Sequence, residues 1–282
     1  FVTGAGNEGD SGGHARPVIV PGRIAEVRLS VGNYETGFGV QIWKNYEDGM
    51  RIFLRDPSGD AEFELLPIRG TDRIRIGETE LLIYYGEPSP FNAAQEIYIE
   101  FVPEQAYVES GIWIFRFLGK GREDTYVDLW LPSSAALGQN TAFLEPSPET
   151  TLTIPSTAFR PLTVGAYDSR TGIYAPFSGR GDTRIYHAQK PDLAAPGVGI
   201  MAPKSGGGYE AVTGTSFAAP LVAGAAALLM EWGIVRGNDP YLYGEKVKAY
   251  LRKGAKRLPS ELEYPNPRLG YGALCVRDSL PG

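Results

Sequence analysis

A period-2 alternation of apolar and polar residues runs through positions 18–148 and constrains the fold more than any other feature. The clearest alternating runs are 25–31, 97–101 and 127–131. Further candidate strands lie at 38–44, 50–55, 62–66, 72–76, 79–85 and 111–118. Turn signals rich in glycine and proline separate these runs. Short strands at this spacing, with no convincing helix among them, predict an antiparallel β-sandwich of jelly-roll type.

The pattern changes after Pro146. Residues 162–166 predict a short apolar strand, and residues 216–232 form an alanine-rich helix that is apolar all round and is therefore predicted to be buried. Residues 242–253 predict an amphipathic helix whose solvent side carries Lys246, Lys248, Arg252 and Lys253. These are α/β patterns, which predict a unit separate from the sandwich.

The two patterns divide the chain into three segments. Residues 1–17 are a strand fragment followed by a glycine-rich loop, residues 18–148 are the sandwich, and residues 149–282 carry the α/β pattern. The chain begins at Phe1 in an apolar run that is typical of the middle of a strand. We therefore expect the chain to be cut at its N-terminal end.

Composition excludes several classes of partner. The net charge is −6, with 27 Lys and Arg against 33 Asp and Glu, which argues against nucleic acid or an anionic membrane. A single Cys excludes an intramolecular disulfide framework. The longest apolar stretch, Phe217 to Met230, is shorter than the ~18–20 residues that a membrane-spanning helix needs. We therefore expect no membrane span.

No cofactor is expected. The chain has two histidines, which leaves little for a histidine-based metal site. The acidic residues Asp56, Asp60, Glu123 and Asp124 could supply oxygen ligands to Ca²⁺, which takes six to eight of them. They follow no recognisable calcium-loop pattern, so solvated turn carboxylates are the favoured interpretation.

The strongest chemical signal is the eleven-residue string from Gly214 to Gly224, GTSFAAPLVAG. A serine that opens a buried helix lies beside unpaired backbone N–H groups and the positive end of the helix dipole, and both favour negative charge on a nearby oxygen. Taken alone, a Gly-Thr-Ser could equally be a helix start with serine as the N-cap.

The whole string resembles the nucleophile motif of the subtilisin family of serine peptidases, with Leu221 where that family usually carries a histidine. Residues 2–9, VTGAGNEG, resemble the oxyanion-hole segment of the family. Further matches, in the order that the family has them, are 162–168, 177–179, 191–197 and 270–272. The resemblance implies a parallel sheet covered by helices and the activity of an endopeptidase.

The resemblance also implies roles for individual residues. Ser216 would be the nucleophile, and the side chain of Asn7 would stabilise the oxyanion together with the backbone N–H of Ser216. The residues that would contact the substrate are Thr3, Gly4, Ala5, Gly6, Gly214 and Thr215. Asn7 has an alternative interpretation as a loop asparagine in the left-handed conformation among glycines.

The catalytic base is not evident. In this family the triad runs Asp, His, Ser, so the Asp and His are expected upstream of Asn7, and the chain begins six residues before it. His14 and His187 both lack the Gly-His-Gly-Thr surroundings of the family's base, and a structural role is favoured for each. The chain alone is therefore expected to be inactive.

The number of residues between Asn7 and Ser216 narrows the resemblance to one group within the family. Ser216 follows Asn7 by 209 positions, and the predicted sandwich accounts for the excess. A jelly roll inserted at this place resembles the Csp-type germination proteases of spore-forming bacteria, which implies a secreted or spore-associated protein. The alternative is a pseudoprotease or scaffold whose jelly roll binds a protein or glycan; Trp43, Trp113 and Trp130 could form a sugar platform, although core positions are favoured.

Besides a polypeptide substrate, one partner is expected. If part of the α/β sheet is missing, apolar surface should be exposed around Val2, Leu162, Val164 and the helix from Phe217. The predicted partner for this surface is the chain's own missing N-terminal half or a second copy of the chain.

Overall fold

The computed structural model describes residues 1–60, 62–67, 70–181 and 189–280. The chain forms two compact units, one made of Phe1–Asp10 and Pro148–Gly282 and the other of Ser11–Ser147. We call them the α/β unit and the β unit. The division lies at residues 10 and 147, whereas the sequence pattern placed it at 17 and 148. The reason for the first difference is a short strand at His14–Ala15, which pairs inside the β unit.

The described residues contain short strands and three α-helices. The strands are β1 Val2–Gly4, β2 His14–Ala15, β3 Val18–Ile19, β4 Ile24–Val31, β5 Phe38–Asn45, β6 Met50–Arg55, β7 Glu62–Leu65, β8 Gly70–Ile76, β9 Thr79–Tyr85, β10 Ala94–Pro103, β11 Gly111–Gly119, β12 Thr125–Tyr126, β13 Asp128–Trp130, β14 Ala142–Phe143, β15 Leu162–Asp168, β16 Ile173–Tyr174, β17 Leu193–Pro196, β18 Ile200–Pro203 and β19 Tyr209–Val212. The helices are α1 Thr215–Met230, α2 Gly244–Lys253 and α3 Val276–Ser279.

The α/β unit is built on a small parallel sheet. Strand β15 lies between β1 and β17 and runs parallel to both, while β16 pairs antiparallel with its end. Parallel strands are stable when helices cover them, and α1 packs against all three parallel strands. Leu162 and Val164 are 5% and 0% exposed. The expectation that they would be exposed was therefore wrong: they lie in the core that α1 completes, and Val2 packs partly buried against it.

Helix α1 is buried along one stripe only, which corrects the expectation that it is buried all round. Ala218, Val222, Ala225 and Leu229 face the core, and burying a side chain such as Val222 or Leu229 contributes roughly 1.5–3 kcal/mol. The opposite side exposes large apolar residues, and we call Leu221, Leu228, Met230, Ile234 and Val235 the outer face. Exposure of apolar residues from Phe217 onward was expected, and it is found here.

The same helix is longer than the apolar stretch counted from the sequence, and the expectation of no membrane span stays a prediction. It continues beyond Met230 as a π-helical turn over Glu231–Val235. The combined helix, Thr215–Val235, is long and apolar enough by length and composition to cross a membrane. The apolar stretch counted from the sequence ended before Glu231, but the charge of this residue does not interrupt the helix.

Helix α2 is joined to the sheet by a buried charge cluster around Asp192, which is fully buried. Its carboxylate accepts hydrogen bonds from the Thr163 N–H (2.7 Å) and from Lys190 Nζ (2.9 Å). Its other oxygen contacts Lys248 Nζ (3.0 Å) and the Arg252 guanidinium. Lys248 is therefore buried, and the expectation that it faces solvent was wrong. Burial lowers the pKa of Lys190 to about 8, although the charge of Asp192 acts in the opposite direction.

The β unit consists mainly of two antiparallel sheets. One has six strands in the order β2-β13-β5-β10-β9-β8, and the other has five in the order β14-β4-β11-β6-β7. Apolar side chains from both sheets form one core cluster. The structure confirms the alternating runs 25–31 and 97–101 as strands in which every second residue is buried. The run 127–131 contains only the short strand β13, and Asp128, which the alternation places on the solvent side, is buried as well. The assignment of this unit as a jelly roll stays a prediction.

The tryptophans and acidic residues of the β unit have different surroundings. Trp113 is completely buried in the core, whereas Trp43 and Trp130 are partly exposed. Asp56 is buried and accepts a hydrogen bond from the Ser58 hydroxyl. Among the residues that the structure describes, no group of three or more His, Cys, Asp or Glu side chains could hold a metal ion.

Candidate active site

The first wall of the candidate site is β1 and the loop that follows it. The parallel pairing of β1 with β15 continues one residue further, because the Ala5 N–H donates to the Val164 carbonyl (2.8 Å). Ala5 is fully buried, and Thr3, Gly4 and Gly6 are half-buried beside it. The loop then brings Asn7 to the surface. Asn7 is not among the residues with positive φ, so its interpretation as a left-handed loop asparagine was wrong.

The second wall is the N-terminus of α1. Gly214 is the N-cap, with a φ of 151° that strongly favours glycine, and its N–H donates to the Gly197 carbonyl (2.8 Å). Thr215 is the first helical residue and is buried; Ser216 is the second and is exposed. The interpretation of Ser216 as the N-cap was therefore wrong. Its N–H belongs to the first turn, where backbone donors have no partner within the helix and the dipole is positive.

Thr215 joins the two walls through three hydrogen bonds. Its N–H and its hydroxyl both donate to Asn7 Oδ1, at 3.0 and 3.1 Å. The same hydroxyl accepts a hydrogen bond from the Gly6 N–H (3.2 Å). Residues that are more than 200 positions apart in the chain are thus held together by one buried side chain.

These bonds determine how the Asn7 amide is oriented. A backbone N–H can only donate, so the amide atom that faces Thr215 must be the acceptor Oδ1. The donor Nδ2 therefore lies on the other side, close to Gly214, where a Cβ on that glycine would be 3.4 Å from it. Asn7 therefore presents an N–H donor beside Gly214, two residues before Ser216.

Thr153 borders the first wall and was missed in the sequence. A Cβ built on Gly6 would lie 2.5 Å from Thr153 Oγ1 and 2.6 Å from its Cγ2, so the two residues contact each other directly. The Thr153 N–H also donates to the Ala5 carbonyl (3.1 Å). In the sequence, the lack of a side chain at Gly6 indicates that another residue packs closely there. Nothing in the sequence indicates that this residue is Thr153.

The described residues give the surroundings of one of the two histidines. His14 is buried in the β unit, where its Nε2 lies 3.0 Å from Asp128 Oδ1, its Nδ1 lies 3.2 Å from the Ser147 carbonyl, and its ring stacks on Trp130. A structural role, as favoured from the sequence, fits these contacts. His187 lies outside the described residues. Within the described part of the chain, no histidine forms a hydrogen bond with the Ser216 hydroxyl.

Comparison with known proteins identifies the protein family. Residues 133–272 match the subtilase family. The serine protease AprX of Bacillus subtilis is 33% identical over 153 residues, which is 47% of this chain and 32% of AprX. The subtilisin-like protease SBT3.5 of Arabidopsis thaliana is 50% identical over 62 residues, or 20% of this chain and 8% of that protein. The chain belongs to the subtilase family of serine peptidases.

A solved structure narrows the comparison within that family. The CspB protease of Clostridium perfringens is 36% identical and superposes with a TM-score of 0.90 over 99% of this chain. The match covers 58% of the CspB chain. The chain is therefore subtilisin-like and of Csp type, and it spans about a third of AprX and just over half of CspB.

Proposed function

We propose that this chain carries the nucleophile and the oxyanion hole of a subtilisin-type serine endopeptidase. Ser216 is the nucleophile, and Asn7 Nδ2 and the Ser216 N–H stabilise the oxyanion. The observation that carries the proposal is the pair of hydrogen bonds from Thr215 to Asn7 Oδ1, because they turn the amide donor away from Thr215 and toward Gly214.

The reaction follows from this geometry. Ser216 Oγ attacks the carbonyl carbon of a peptide bond while a histidine takes its proton. The negative charge on the carbonyl oxygen is stabilised by the two N–H donors and by the positive end of α1. Collapse of this intermediate expels the amine and leaves an acyl group on Ser216, which water then removes. Thr3, Gly4, Ala5 and Gly6 would border the residue before the scissile bond, and Thr153 would limit its size.

The base that this reaction needs is not provided by the described part of the chain. Without it the serine hydroxyl is a weak nucleophile at neutral pH. We therefore propose that the chain alone is inactive and that the triad Asp and His belong to further polypeptide of the same peptidase. A pseudoprotease would share the fold but would show no activity after such polypeptide is supplied.

The outer face of α1 supports the same proposal. Its exposed Leu221, Leu228 and Met230 form an apolar surface on the helix that begins at the nucleophile, and surfaces of this kind usually bind a partner. We expect the chain alone to dimerise or aggregate, as measured by light scattering after size exclusion, and Leu228→Glu to reduce this association. A monodisperse monomer of the unmodified chain would contradict the expectation.

The oxyanion hole is tested by Thr215→Val and Asn7→Leu in an active protein that contains this chain. Asn7→Leu removes the side-chain donor and should lower kcat by about 10²–10³-fold, a magnitude taken from the equivalent asparagine of a subtilisin. Thr215→Val removes the hydroxyl that orients Asn7 and leaves the Gly6 N–H unpaired, so kcat should fall by about tenfold or more. Steady-state hydrolysis of a chromogenic peptide measures both.

Thr215→Ser is the matched control, because it keeps the hydroxyl and loses only a methyl group. It should retain most of the activity that valine loses, and KM should change little in all three variants. Equal kcat values for the serine and valine variants would show that the hydroxyl does not orient Asn7.

A further inference from the structure

The outer side of the six-stranded sheet carries a row of polar and aromatic side chains. Gln41 on β5, Tyr98 on β10 and Tyr84 on β9 lie directly opposite one another on neighbouring strands. They alternate with buried residues of the core, so they point outward. Tyr84 is 46% exposed, Gln41 is exposed and Tyr98 is half-buried. We call these three residues the tyrosine row.

The hydroxyl-bearing end of the Tyr98 side chain lies against Gly39, which has no side chain of its own. A Cβ built on Gly39 would be 2.6 Å from both Cε2 and Cζ of the Tyr98 ring, so the ring occupies the space that a larger residue at this position would need. The Tyr98 hydroxyl donates to Glu100. Burial and this hydrogen bond raise its pKa to about 12, so the phenol stays protonated at neutral pH.

Hydrogen-bonding groups flank the aromatic rings. Gln41 Nε2 donates to Glu96 Oε1 (3.1 Å), and Glu100 accepts from Tyr98. Carboxylates accept hydrogen bonds from hydroxyl groups and repel anionic ligands. The row runs across β5, β10 and β9, each of which is paired on both sides, so a peptide cannot bind here by adding a strand.

The opposite sheet lacks this arrangement. On its outer side Arg116 pairs with Glu26 and Glu62 (3.0 and 2.6 Å), and Arg51 pairs with Glu64 (2.5 Å). The six-stranded sheet carries ion pairs as well, Arg73 with Glu80 and Arg75 with Glu104, and the tyrosine row lies beside them.

We propose that the tyrosine row binds a neutral glycan chain, with pyranose rings stacked on Tyr98 and Tyr84 and hydroxyl groups bonded to Gln41, Glu96 and Glu100. Strands in a sheet are roughly 4.8 Å apart, which is close to the length of one pyranose unit, so successive sugars of a β-linked chain would meet successive strands. This function is independent of peptide hydrolysis, and it would hold the peptidase near a polysaccharide.

Calorimetric titration of the 282-residue chain with cellohexaose and with chitohexaose tests the proposal. We expect saturable binding of at least one hexasaccharide. Tyr98→Ala and Tyr84→Ala should each weaken it by about tenfold, the effect of losing a central contact. Tyr98→Phe keeps the ring and should bind within about threefold of the unmodified chain. Tyr46→Ala, at a tyrosine of similar exposure (49%) outside the row, is the control.

Three results would overturn the proposal. The first is that neither hexasaccharide binds to a chain that circular dichroism shows to be folded. The second is that Tyr98→Ala binds the sugars as well as the unmodified chain does. The third is that a hexaproline peptide binds at the row and the sugars do not. Gly39→Ala provides a second check, because a Cβ there must lift the Tyr98 ring and should weaken sugar binding as Tyr98→Ala does.

Discussion

Ser216→Ala is expected to abolish peptide hydrolysis by an active protein that contains this chain, with a loss in kcat of about 10⁶-fold, a magnitude taken from the nucleophile of a subtilisin. The substitution removes the only atom that forms the acyl intermediate and leaves Asn7, Thr215 and the helix dipole in place. Ser216 is exposed at the start of α1, so the free energy of unfolding should change little. Kinetics on a chromogenic peptide, together with urea unfolding, measure both effects.

Ser205→Ala is the matched control for this experiment. Ser205 is an exposed serine in the turn between β18 and β19, eleven residues before the nucleophile. It should keep full activity. If Ser216→Ala retained more than about a hundredth of the activity while folded, the assignment of Ser216 as the nucleophile would be wrong.

Asp192→Asn is expected to cost about 3–5 kcal/mol in the free energy of unfolding. The aspartate is the counter-ion of Lys190, Lys248 and Arg252 and is itself fully buried. Asparagine has nearly the same shape but no charge, so it leaves three cations without their counter-ion in a poorly solvated place. Denaturant unfolding of the α/β unit, followed by the fluorescence of Trp232, measures the loss.

Asp168→Asn is the control for Asp192. Asp168 also pairs with an arginine, Arg170, but that arginine is mostly exposed (77%), and water replaces the lost interaction. Its stability should change little. Equal losses in the free energy of unfolding of the two variants would contradict the expectation that burial of the Asp192 cluster makes its ion pairs more stabilising.

The sequence predicted the strands of the β unit well, because alternation along a strand reports directly which side faces a core. It could not predict the environment of α2. Lys248 is spaced like a solvent-facing residue, but its charge is balanced by Asp192, 56 positions earlier in the chain. Periodicity describes one element at a time and carries no information about a partner on another element.

The candidate active site likewise has one part that the sequence predicted and one part that it could not predict. Ser216 and Asn7 were predicted because their motifs are local strings of residues. The hydrogen bonds of Thr215 to Asn7, and the contact of Thr153 with Gly6, depend on how β1, β15 and α1 meet. Which side of α1 would be exposed was likewise hidden, since an apolar helix has the same sequence whether one or both of its sides are covered.

Covalent labelling tests the central proposal most directly. An active protein that contains this chain is treated with a fluorophosphonate, digested and mapped by mass spectrometry. The proposal predicts a single adduct on Ser216 that forms in step with the loss of peptidase activity and is absent from Ser216→Ala. Full inactivation with the adduct on another residue, or no labelling of an active protein, would contradict it.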